Sequence, residues 1–410
     1  MPSPPPNYRL RGEDLNTASA LPFAQKLRWF RSQCALLRVP WECGHVKVRV
    51  RRSHLLEDSF NAFQNLARQQ DYRKVFRFEF HNEPALDAGG VAREWVQLVT
   101  EGIFDVNTGL WRYSSGDNVC YQINEHSALA NGELHLEYFR FAGKVLGKAL
   151  FDGQVSAAHL VRVLYKHLVA YPVGLFDLES SDPVLHKSLV QVRDMPPEQV
   201  EHLCINFTYT EEAFGETRTL PLKPGGADVE VTGANREEYL RLTLRRILLD
   251  KAGAQLANFL DGFYTVVPPA LVSVFDFQEL ELLLCGLPNI DVGDWERSTK
   301  YGGEFEAEGG GHPVVRWFWE LVRGFDEADR AKLLQFVTGT SRVPVQGFNF
   351  LQGSDGNVRP FCVTSLKDGV LPRAHTCFNR IDLPVYKSQE DLKKYVEMAV
   401  ALEAVGFGIE

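Results

Sequence analysis

The chain has 410 residues, with 44 Lys and Arg against 53 Asp and Glu, so its formal net charge is −9. That balance argues against nonspecific nucleic-acid binding as its main work, and no nucleic-acid partner is expected. With hydrophobic residues at 45% and charged residues at 24%, the composition is that of a globular protein too long for one core, so two or three packed units are expected.

Residues 1–18 are rich in Pro, Ser, Asn and charge and read as a solvated linker. Pro5-Pro6-Asn7-Tyr8 within it has the spacing of a short ligand for aromatic-lined grooves, secondary to the linker reading. From Leu21, Phe23, Leu27 and Phe30 recur at helical spacing with Lys26, Arg28 and Arg31 between them, which predicts an amphipathic helix. Val46, Val48 and Val50 alternate with Lys47, Arg49 and Arg51, and Phe76, Phe78 and Phe80 with Arg77 and Glu79; both predict strands with one buried face. A helical period lies between them, from Leu55 to Leu66.

The stretch 137–152 is apolar on more than one side, with Gly143 and Gly147 four apart, and predicts a buried central helix approached closely by another. Residues 172–232 have only short apolar runs among Pro, Asp and Gly and read as a small appended subdomain. A long helical pattern follows from Arg236 to Phe263, stopped by Pro268-Pro269, and then a short helix from Phe277 capped by Gly286. The segment from Trp295 to Gly303 separates two apolar regions and ends in two glycines, so a hinge is expected at 298–303. Val314, Trp317, Phe318 and Leu321 open a second unit of about 100 residues, closed by a helix over 389–404 whose start Ser388 and Asp391 can cap.

Seven scattered cysteines with no Cys-x-x-Cys pair disfavour disulfides and structural zinc. No phosphate loop, dinucleotide fingerprint, zinc-protease or serine-elbow motif occurs, so neither metal nor cofactor is expected. No apolar run reaches the roughly 18 residues of a membrane span and the start lacks a signal-peptide core, which points to a reducing cytosol or nucleus. One cysteine stands apart. Cys377 lies beside His375, Thr376, Asn379 and Arg380 in a polar segment between Pro372 and Pro384, where donors and cations favour a thiolate. The competing reading is a small buried hydrophobe.

Here the sequence resembles the HECT-type ubiquitin ligases, from about residue 20 to Glu410. The resemblance rests on Arg51-Arg52-Ser53-His54-Leu55-Leu56-Glu57-Asp58, Leu86-Asp87-Ala88-Gly89-Gly90-Val91-Ala92-Arg93-Glu94-Trp95, Tyr138-Phe139-Arg140-Phe141-Ala142-Gly143-Lys144, Leu334-Gln335-Phe336-Val337-Thr338-Gly339-Thr340-Ser341-Arg342 and the Cys377 motif. It is similar to the branch whose full-length members carry lipid-binding and WW modules upstream. The resemblance implies an α+β bilobal fold: a mainly helical N-lobe over 19–297 with a subdomain at 172–232 that binds the conjugating enzyme, the hinge, and an α/β catalytic C-lobe over 304–410. It implies ubiquitin, a ubiquitin-conjugating enzyme and protein substrates as partners, with Cys377 carrying ubiquitin as a thioester before transfer to lysine.

The same resemblance points to Asp87 and His375 as helpers of lysine attack and to Phe407, fourth from the end, as needed for ligation; Glu410 adds a carboxylate that could assist the lysine. On sequence alone Asp87 equally reads as a turn residue and Phe407 as a helix-end contact. For the conjugating enzyme, the matching groove is Leu185, Leu189, Val192 and Tyr239, with Thr243 where some relatives have an aromatic. A noncovalent ubiquitin surface would include Tyr113 and Phe214, with Thr108 in place of the usual aromatic upstream. Two rival functions are a binding scaffold of the same fold and a ubiquitin-removing cysteine hydrolase. The hydrolase lacks a His after Cys377.

Overall fold

A computed structural model describes residues 10–81, 83, 88–114, 120–156, 158–179, 181–213, 216–286, 290–338, 343, 347–351 and 358–404. Its N-terminal two-thirds is mainly helical, with β1 (Val46–Val50) and β2 (Phe76–Phe80) forming a parallel pair in which Val48 stands opposite Phe78 and Val50 opposite Phe80. Both strands alternate as expected, and the helix Leu55–Gln64 supplies the crossover that a parallel pair requires.

At the centre of this unit the helix His135–Asp152 lies against the helix Gly253–Val266, and a Cβ added at Gly143 would fall 2.0 Å from the Phe259 carbonyl oxygen. The expected close approach is therefore backbone on backbone. The Arg236–Phe263 pattern is two helices, Arg236–Leu248 and Gly253–Val266, parted at Leu249 and the turn Asp250–Ala252. The break has a packing cause: Leu240 serves a small core with Leu178 and Leu189, while Phe259 and Phe263 serve the central one, and one straight rod would not turn a face to both.

Near the start the expected linker is corrected from residue 12 onward. Gly12–Ser19 is a helix, Ala18 is buried, and Leu10 and Leu15 pack on the main core; a few apolar residues among polar ones sufficed once a neighbour could cover them. In the next helix, Phe23–Leu37, the buried positions are Lys26, Phe30, Cys34 and Leu37. Lys26 thus lies on the inner face and Leu27 is half-buried, because a carboxylate, Glu279, waits 2.8 Å from Lys26 Nζ.

The subdomain contains the helix Pro183–Asp194 and the hairpin of β5 (Thr208–Ala213) and β6 (Glu216–Pro221); these follow the short pair β3 (Trp111–Tyr113) and β4 (Tyr121–Ile123) in the main unit. Val200, Phe207 and Val231 form a core of the subdomain's own.

The second large core begins upstream of the expected boundary. Trp295, on the helix Val292–Arg297, is fully buried against Trp319, Phe348 and Phe361. The expected hinge, 298–303, includes β7 (Lys300–Gly302), which pairs in parallel with β8 (Cys362–Leu366). Backbone hydrogen bonding to β8 thus engages residues whose glycines alone suggested a free joint. The sheet continues through β10 (Arg380–Pro384) to β9 (Arg373–His375), which runs antiparallel at the edge. The helices Pro313–Gly324, Glu327–Thr338 and Gln389–Ala404 pack against it, and the Ser388 hydroxyl accepts the Asp391 N–H at 3.1 Å as expected of a cap.

Candidate active site

The Cys377 segment is the connection between β9 and β10. His375 ends β9, Thr376–Phe378 make one tight 3-10 turn, and Asn379 returns the chain to β10 in the left-handed region, at φ 49° and ψ 41°. Asparagine tolerates that conformation better than most side chains. Asn379 is also an anchor. Its Nδ2 donates to the Arg359 carbonyl at 2.7 Å, and its own carbonyl accepts the Cys362 N–H at 2.9 Å.

The segment is therefore pinned at its base while it holds up Thr376, Cys377 and Phe378, the last 51% exposed with the Arg359 guanidinium 5.1 Å from its ring centre. Replacing Asn379 by Ala removes the Arg359 bond and strains the turn, at an expected cost of about 2–4 kcal/mol. Asn379→Gly should recover only the backbone share. Urea denaturation of both variants tests this, and two curves matching wild type would show that the anchor does nothing.

In the β9–β10 ladder His375 stands opposite Arg380 and Arg373 opposite Asp382. Arg380 and Asp382, two apart, share a face with His375. His375 Nε2 lies 2.9 Å from Asp382 Oδ2; Arg380 Nε lies 2.9 Å from Oδ1 and Nη2 3.3 Å from Oδ2. Asp382 is 8% exposed, whereas the His375 and Arg380 side chains are about one-third exposed. An imidazole is thus held at one nitrogen by a buried carboxylate, two residues from the cysteine. Sequence reasoning named His375 but gave no role to Asp382; the available signal was one acid in the run Ile381–Leu383, whose other members are fully buried.

Of the other expected site residues, Asp87, Phe214, Phe407 and Glu410, and the side chain of Cys377, lie outside the described residues. Cys34 is buried and its thiol is pushed up to about 12, chiefly by burial, so it is no nucleophile at neutral pH. Leu185, Leu189, Val192 and Tyr239 do come together, in the cluster with Leu178 and Leu240. Leu189 is at its centre, 3% exposed, while the other three are half-buried. Burial raises the Tyr239 hydroxyl above its usual range, and its ring meets Phe207 edge-on. Thr243 is buried. Two apolar residues at the subdomain surface escaped the sequence reading: Val184, 78% exposed, and Phe176.

Tyr113 is exposed on β3 and stacks on Tyr121 with centroids 5.5 Å apart. Thr108 closes a turn, its hydroxyl donating to the Asp105 carbonyl at 2.7 Å. Among the described residues there is no group of three His, Cys, Asp or Glu able to hold a metal, and no helix long and apolar enough to cross a membrane.

Comparison with known proteins matches residues 97–410 to the family described as HECT-domain (ubiquitin-transferase). The chain is 39% identical over 382 residues to the E3 ubiquitin-protein ligase Nedd-4 of Drosophila melanogaster, covering 92% of this chain and 37% of that protein. It is 41% identical over 357 residues to the human E3 ubiquitin-protein ligase NEDD4, covering 86% of this chain and 26% of the relative. It is also 41% identical over 389 residues to the E3 ubiquitin-protein ligase RSP5 of Emericella nidulans, covering 95% and 46%. The chain spans less than half the length of each of these relatives.

Proposed function

Since the chain belongs to the HECT-domain (ubiquitin-transferase) family, we propose that it is a ubiquitin ligase that carries ubiquitin on Cys377 as a thioester between a conjugating enzyme and a lysine of a protein substrate. The observation that carries this reading is the cysteine's place on a tight turn held at its base by Asn379 and flanked by the His375–Asp382 pair. In the first step the Cys377 thiolate attacks the carrier's thioester carbonyl and the carrier's sulfur leaves as thiolate. One thioester replaces another, so a modestly ionised thiol is enough. In the second, a lysine amine forms a C–N bond to the same carbonyl carbon, the C–S bond to Cys377 breaks, and the amine gives up a proton.

That proton is why a base near the thioester matters in the second step and not in the first. His375 is one candidate on the turn, and Asp87 is the second, by resemblance. Phe407 would hold the transfer pose through an aromatic contact. The half-buried Leu185, Val192 and Tyr239, with exposed Val184 and Phe176, form the surface proposed for the conjugating enzyme. Tyr113 with Phe214 is proposed for noncovalent ubiquitin. Among the described residues Cys34, Cys43, Cys204, Cys285 and Cys362 form no disulfide, which fits a reducing compartment, cytosol or nucleus.

The test incubates the chain with activating enzyme, conjugating enzyme, ATP and ubiquitin, then resolves it with and without reductant. A reductant-labile adduct on wild type, absent in Cys377→Ala, is expected, and Phe407→Ala should keep the adduct yet lose transfer to lysine. A wild-type chain that binds ubiquitin but never forms the adduct would make it a scaffold.

A further inference from the structure

The carboxylate beneath His375 is in an unusual place for a structural acid. Its strand neighbours Ile381 and Leu383 are fully buried, Asp382 itself is 8% exposed, and an apolar residue there would need no partner. Instead the acid faces a more exposed imidazole, with Arg380 on its other side. We propose that Asp382 is a positioning residue for lysine attack: it holds His375 with the proton on Nε2, so that Nδ1 carries the lone pair.

The chemistry follows from the hydrogen bond. A carboxylate only accepts, so the imidazole nitrogen 2.9 Å away must donate, and in a neutral ring the other nitrogen is then the acceptor. When lysine adds to the Cys377 thioester carbonyl, its nitrogen becomes cationic; Nδ1 takes that proton, the C–S bond breaks, the Cys377 thiolate leaves and an amide remains. The resulting imidazolium is stabilised by Asp382. Arg380, with Nε 2.9 Å from Oδ1, keeps the carboxylate in place, and after the amide has formed His375 passes its proton from Nδ1 to water. Transthiolation does not call on this base, and a weakly basic amine, already neutral near pH 7, calls on it far less, because the nitrogen of its adduct is acidic enough to give its proton to water.

This inference rests on the transferase reading, and the experiment separates the two. Ubiquitin is loaded on the full chain, and discharge of the thioester is followed with free lysine and with hydroxylamine. Asp382→Asn is expected to load normally and to discharge to hydroxylamine within about two-fold of wild type, while discharge to lysine slows at least ~10-fold, less than the ~100-fold or more that a general base itself contributes, because the imidazole is still present. His375→Gln should show the same selective loss, and His375→Gln with Asp382→Asn should be no slower than His375→Gln alone.

Equal slowing with both amines, wild-type lysine discharge in Asp382→Asn, or additive losses in the double variant would each overturn the proposal. A wild-type chain that never loads would defeat the transferase reading instead. If Asp382→Asn does not fold, nitrogen-15 histidine spectra of the wild-type chain decide: a proton on His375 Nε2 supports the assignment, and one on Nδ1 overturns it.

Discussion

Gly143→Val is expected to leave no folded protein, and even Gly143→Ala to lose more than about 3 kcal/mol, beyond the usual range for an overfilled core. At this position a Cβ would meet the Phe259 carbonyl oxygen at 2.0 Å and the Phe263 amide nitrogen at 2.7 Å. The facing glycine is placed the same way: a Cβ at Gly262 would lie 2.0 Å from the Arg140 carbonyl oxygen. These obstacles are main chain on both sides, so no rotamer can relieve them. The two helices would have to separate, uncovering Phe139, Leu146, Phe259 and Phe263.

Against a total stability of about 5–15 kcal/mol such a loss is decisive. Gly102→Ala is the control. It sits in the helix Ala88–Phe104 with nothing within 4 Å of an added Cβ, so better helix propensity should make it neutral or stabilising by up to about 1 kcal/mol. Urea midpoints measure both. A Gly143→Ala curve that overlays wild type would show that the helices do not approach as described.

Glu279→Ala should cost about 3–5 kcal/mol, the penalty for leaving a buried charge without its partner. The Glu279 side chain is 3% exposed and bridges two lysines: Lys26 Nζ at 2.8 Å from Oε2 and Lys332 Nζ at 3.0 Å from Oε1. It also accepts the Asp276 N–H at 3.2 Å, closing a reciprocal cap at the start of its helix. Burial disfavours the charge on Lys332, yet Asp276 and Glu279 more than offset this and raise its affinity for the proton. Burial and then Glu279 raise the Asp276 carboxyl above its usual range.

The effect also reaches between the two large cores. Lys26 comes from the helix Phe23–Leu37 and Lys332 from Glu327–Thr338, which packs in the second core. Replacing these three charges by apolar residues of similar size, Lys26→Met with Glu279→Leu and Lys332→Met, should recover part of the loss, because neither lysine is then stranded, while the Asp276 carboxylate, 4.0 Å from Lys332 Nζ, loses that cation. Denaturation of the single and triple variants checks both statements. A single variant within 1 kcal/mol of wild type, by the conversion of midpoint and slope, would mean that water or another group replaces the carboxylate.

Much of the local structure was legible in the sequence. The alternation of Val46 to Val50 and Phe76 to Phe80 marked strands, Gly286 marked a helix end, and Gly143 with Gly147 marked a close helix approach. The Cys377 motif marked the candidate nucleophile. These signals work because each depends on a side-chain period or a backbone conformation set within a few residues. The misses were of another kind. Lys26 was placed on a polar face, 12–18 in a linker, and 298–303 in a hinge, since the groups that bury or pair them, Glu279, the main core and β8, are distant in the chain. The His375–Asp382 pair, only seven residues apart, was missed for another reason: it exists only in the register that sets His375 opposite Arg380.

By itself, then, the order of residues determined which segments coil or extend, which family the chain belongs to and which cysteine is the candidate carrier. Only the folded chain decided which charges go inside, where the second core begins and which acid reaches the histidine beside that cysteine. Helical and strand periods are properties of neighbours along the backbone. Burying a lysine or aiming a carboxylate depends on a partner that a separate element brings within 3 Å or so, and no local pattern encodes that distance.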